Sequence, residues 1–184
     1  MTRNKPRLQL AVYARPKHPE SPHYALFVAP KHDTVPVVKH HVKNTWQVDD
    51  SGHASCPWRY ERTVIASLEN EPRLLARVVV AKVLQSAEEI QQIFDSIPIY
   101  TEDEGIVAAE GAASFSCKSW VKDAWEALRR RNAISSKFDD WDVVEREARG
   151  YVETKRQQGR WDTSWKGAAG VPLMDLLEGQ ERVA

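Results

Sequence analysis

An α+β domain is the fold class that the sequence predicts, with an antiparallel sheet from the N-terminal third packed against helices from the C-terminal half. Three observations carry that expectation. Residues 7–65 read as a series of short strands, the first of which alternates at the two-residue period. Residues 71–158 shift to helical spacing, with capping residues in front of two of the segments. The turns between the first strands are short, as in a meander. Strands first and helices later is the pattern of an α+β fold, and 184 residues suit a single domain spanning 1–184.

The elements follow in order. In "RLQLAVYARP" Leu8, Leu10 and Val12 alternate with Gln9, Ala11 and Tyr13, which reads as a strand. "HYALFVAP" (23–30), "VPVVKHHVKN" (35–44) and "WRYERTVI" (58–65) read likewise, with "KHPESP", "KHDT" and "DDSGHASCP" as turns. From Glu71 the pattern predicts a helix: Pro72 suits a first helical position, and "RLLARVVVAKVL" is apolar enough to be buried. Ser86 and Glu89 form a capping-box pattern that opens "AEEIQQIFDS". Residues 101–114, acidic and then small with Gly105 and Gly111, read as a loop before Cys117. Helices are predicted over 118–131 and, behind Asp139 and Asp140, over 141–158. The tail 159–184 is expected to end in a short docked helix.

Lys plus Arg and Asp plus Glu both number 26, so the net charge of zero gives no reason to expect a nucleic-acid partner. No apolar run approaches the roughly 18 residues of a membrane span. The N-terminus lacks the apolar core of a signal peptide. Two cysteines make no disulfide framework, so a cytoplasmic setting is expected. Neither CxxC nor HExxH occurs, and no metal or other cofactor is expected.

Cys117 is the residue with most chemical interest. Trp120, Val121, Ala124, Ala127 and Leu128 share its helical stripe, so it faces inward at a first turn. Backbone N–H groups there favour a thiolate, although free cysteine also packs as a small core hydrophobe. A nucleophile needs a base. Of the six histidines, His18, His32 and His53 fall in predicted loops. His23 opens a strand, while His40 and His41 are adjacent in the next strand and so point to opposite faces. Cys56, before a proline in a loop, reads as incidental.

"PHYALFVAP", the His40–His41 strand and "SCKSWVKDAWEAL" resemble the circularly permuted papain-like folds, the NlpC/P60-type group that includes lecithin–retinol acyltransferase relatives. They also look like small fungal proteins with an H-[VA]-K strand and a C-x-x-W-V helix. The resemblance implies Cys117 as nucleophile, His23 as base and His41 as the orienting group, with His40 competing for that last role. Ser116 stands where many relatives carry Asn.

The activity implied is cysteine-dependent acyl chemistry on a small, largely apolar amide, ester or thioester. Trp46, Trp58, Trp120 and Tyr24 would line the pocket, with Trp125 nearby. Two other expectations stand beside it. One is a natural-product tailoring enzyme, a cyclase, isomerase or pericyclase that steers a bound molecule by shape and hydrogen bonds. The other is a non-catalytic binding domain.

Overall fold

β1 (Arg7–Tyr13), β2 (His23–Ala29), β3 (Val37–Asn44) and β6 (Trp58–Ile65) form an antiparallel run in the computed structural model, which describes residues 4–32, 36–100 and 115–184. A small hairpin of β4 (Gln47–Val48) and β5 (Ala54–Ser55) projects between β3 and β6. On the other side of β1 lies β7 (Leu74–Val83), followed by β9 (Leu173–Asp175) and β10 (Gln180–Val183). β8 (Ile134–Ser135) also pairs with β7, at Lys82 and Val83. The β7–β9 pairing is parallel, so the sheet is mixed.

Among the described residues three α-helices complete the α+β fold: α1 (Ala87–Asp95), α2 (Cys117–Arg130) and α3 (Trp141–Gln157). The capping box of Ser86 and Glu89 forms as the sequence predicts, and Asp140 caps α3 by accepting from the Asp142 N–H. None of the described helices is long and apolar enough to cross a membrane.

Two expectations are corrected. The segment from Glu71 is not a helix: Leu74–Val83 is the strand between β1 and β9. A strand covered on both faces loses its alternation and reads as a continuous apolar run. The β-branched Val78-Val79-Val80 favours the extended form, and all three are buried. The tail does not end in a docked helix either. Its Leu173–Asp175 and Gln180–Val183 extend the sheet, held by an Arg182–Asp175 ion pair of 2.5 Å and by Lys155 on Glu181. The predicted loop 101–114 and part of the "KHDT" turn lie outside the described residues.

The two faces of the sheet carry different cores. Leu8, Leu10, Val12, Tyr24, Leu26 and Val42 pack with all three helices. Ala11, Tyr13, Ala25, Phe27, Ala29 and Val37 form a smaller cluster on the opposite face. Which face a side chain takes therefore decides what it can meet.

Candidate functional site

The start of α2 is built by its cap. Ser116 Oγ accepts from the Ser119 N–H at 3.2 Å, and Ser119 Oγ accepts from the Ser116 N–H at 2.8 Å. That reciprocal pair sets Cys117 as the first helical residue, and α2 packs on β2 and β3. The sulfur faces the backbone N–H groups of Tyr24, Lys118 and Cys117 itself. These donors and the Arg15 charge favour the thiolate, yet burial outweighs them and the thiol pKa is raised. A lowered pKa at the helix start was the expectation; desolvation reverses it, because Cys117 is only 5% exposed.

Cys117 lines a cleft of about 250 Å³ together with Tyr24, Asn44, Trp58, Ser116 and Lys118. Glu145 enters from α3 and ties the cleft together. Tyr24 Oη donates to Glu145 Oε1 at 3.1 Å, Lys118 Nζ stands 2.9 Å from Oε2, and Arg149 lies 4.0 Å away. Burial and the Glu145 charge raise the Tyr24 pKa, so its phenol stays a hydrogen-bond donor. An aromatic wall continues outward, with Trp58 edge-on to Phe115 at 5.5 Å and Phe115 against Tyr100 at 5.8 Å.

The histidines are elsewhere. His23 pairs with Tyr13 across β1 and β2 and shares the face of Ala25 and Phe27, opposite the one on which Cys117 packs. Its Nε2 shares a 3.0 Å hydrogen bond with His41 Nδ1, and its ring lies 5.8 Å from that of Tyr13. His41 Nε2 is 3.6 Å from Glu61 Oε1. So His23 and His41 do come together as the resemblance implies, but away from the thiol. The expected Cys117–His23 pair does not form in this structure, because strand alternation turns Tyr24, not His23, toward α2.

His40 takes the helical face. Its Nδ1 is 2.7 Å from Tyr60 Oη, and its ring packs 4.4 Å from Phe94. Burial, its first cause in each case, lowers the pKa of His23 and His40 to about 3 and of His41 to about 4.

The tryptophans divide by depth. Trp58 lines the cleft. Trp120 is wholly buried between Tyr60 and Phe94, and Trp125 packs on Trp141. Trp46 is 74% exposed on the projecting hairpin. Trp120 and Trp125 are core residues and Trp46 is a surface one, so of the expected pocket only Trp58 and Tyr24 line the cleft.

Glu145 escaped the sequence reading although its signal was present. It falls on the buried stripe of Trp141, Val144, Ala148 and Val152, where an acid needs a partner. Arg15 and Asn44 carried no such mark.

A family model described as "Family of unknown function (DUF6914)" matches residues 5–183, and the chain belongs to that family. Neither a curated protein nor a solved structure matches it.

Proposed function

We propose that this DUF6914 protein binds a small molecule in the cleft at the start of α2 and acts on it without a covalent step, as an isomerase or cyclase would. One observation carries the reading. Tyr24, Glu145 and Lys118 of the cleft are joined in a single chain, while His23, His40 and His41 all lie outside its lining. A carboxylate held by a cation and reached through a phenol can take a proton from one atom of a bound molecule and return it to another. No co-reactant is consumed in such a transfer. Trp58 offers an aromatic wall and Asn44 a neutral donor and acceptor for orienting the molecule. Two free thiols fit a cytoplasmic setting.

A second reading, acyl chemistry through Cys117 in a permuted papain-like domain, is favoured by the backbone N–H groups near the sulfur, which act toward a thiolate. It needs a base other than His23.

Alkylation separates the two. Iodoacetamide at neutral pH is expected to label half-exposed Cys56 at least ~10-fold faster than Cys117, since only the thiolate reacts and Cys117 is both buried and raised in pKa. Peptide mapping against time gives both rates. Faster labelling of Cys117 would sink the non-covalent reading and promote the acyl one.

A further inference from the structure

We propose that the ligand of this cleft is an amphipathic organic anion, whose charged group is held by Arg15 and whose apolar body lies in a groove along α3. The inference rests on the small-molecule reading above and adds the class of ligand. The groove, of about 700 Å³, runs between the segment after β1 and the outer face of α3. Its volume falls within the usual range of small-molecule sites. Arg15, Glu20, Pro22, Lys118, Glu145 and Arg149 line both the groove and the Cys117 cleft, so the two adjoin. Beyond that junction Val12, Pro16, Leu75, Val152 and Trp161 give the groove an apolar strip, bordered by the charged side chains of Asp142, Arg146, Glu153 and Arg156.

The charge assignment comes from pairing. Lys118, Arg149, Arg146 and Arg156 each have a carboxylate partner, in Glu145, Glu145, Glu147 and Glu153. Arg15 has none among the described residues, and its guanidinium makes one hydrogen bond, to Ser21 Oγ at 3.5 Å. Yet it stands at the junction, close enough for its charge to act on the Cys117 thiol. An arginine without a carboxylate partner beside an apolar strip suits a carboxylate or sulfonate on an otherwise apolar molecule.

Gly150 points the same way independently. It lies inside α3, where glycine is the least stable choice after proline. A Cβ added there meets no atom within 4 Å, so packing does not demand the glycine. The residue lines the groove, and leaving out a side chain keeps the groove open.

The test uses two fluorescent probes with one aromatic core, 1-anilinonaphthalene-8-sulfonate and its uncharged counterpart N-phenyl-1-naphthylamine, titrated at pH 7. Saturable binding of both is expected, with the sulfonate tighter. Arg15→Gln should weaken the sulfonate about 10-fold, a loss of about 1.4 kcal/mol, and leave the uncharged probe unchanged. Gly150→Phe should weaken both probes about 10-fold or more while its melting temperature stays equal or rises. Equal affinity for the two probes, or a sulfonate indifferent to Arg15→Gln, overturns the anion assignment and leaves the cleft reading standing. Absence of saturable binding, or binding untouched by Gly150→Phe, overturns the groove. The non-covalent reading fails separately, on rapid alkylation of Cys117.

Discussion

Acidification from pH 7 to 4.5 is expected to remove a large part of the stability of this fold, with the loss beginning where its carboxylates are still ionised. His23, His40 and His41 are neutral in the folded protein, with pKa values lowered to about 3, 3 and 4 by burial. An unfolded histidine titrates near 6.5. Between those values the unfolded chain binds more protons than the folded one, so stability is fully present above about pH 7 and falls with pH below 6.5. The slope is about 1.4 kcal/mol per pH unit for each ring once the unfolded form is charged. By pH 4.5 that amounts to on the order of 2 kcal/mol per histidine, against a total stability of about 5–15 kcal/mol for an ordinary domain.

Most of the charges facing these rings act in the same direction as burial. Lys39 and Arg15 add to the lowering at His23 and Arg62 to that at His40, while Glu61 opposes it at His41. Urea midpoints measured from pH 7 to 4.5 give the slope, and His41→Gln should make it visibly shallower. A midpoint that stays level down to pH 5 would show that the rings are not held neutral.

The second large effect is Trp120→Ala. Deleting a fully buried indole costs about 3–5 kcal/mol, which corresponds to a fall in melting temperature on the order of 10 °C for a chain of this size. Trp120 is 0% exposed and lies between Tyr60 at 5.6 Å and Phe94 at 5.7 Å, so its removal opens the packing of α1 and α2 on the sheet. Trp46→Ala, at a side chain 74% exposed, should change stability by no more than about 0.5 kcal/mol. Thermal melts of the two variants side by side give the comparison. Similar losses at both positions would contradict the burial assigned to them.

The strands of the first third and the caps of α1 and α3 were legible because each signal is local. Alternation marked β1, and Ser86, Glu89 and Asp140 marked helix starts. β7 was misread because burial on both faces erases the period that separates strand from helix. β9 and β10 were missed for another reason: a strand of three or four residues acquires its form from the sheet edge it joins. The site was half legible. Sequence marked Cys117, Tyr24, Trp58 and the meeting of His23 with His41. Which face His23 occupies depends on how β2 sits beneath α2, and no single residue type carries that information.

The parallel pairing of Arg77–Val79 with Leu173–Asp175 has a consequence for how the chain is made. On the ribosome, β7 emerges long before the segment that covers its far edge. Until then that edge meets, among the described residues, the short β8 and the Ser136 hydroxyl on the Val80 carbonyl, and it leaves backbone unpaired along "RVVVA". Long-range pairing of this kind forms late, because the intervening loop must close first. Nascent chains stopped before Leu173 are therefore expected to aggregate through β7, and chains that extend through residues 173–183 to aggregate far less. Fractionating stalled chains ended on either side of residues 173–183 would show solubility appearing only with the longer ones.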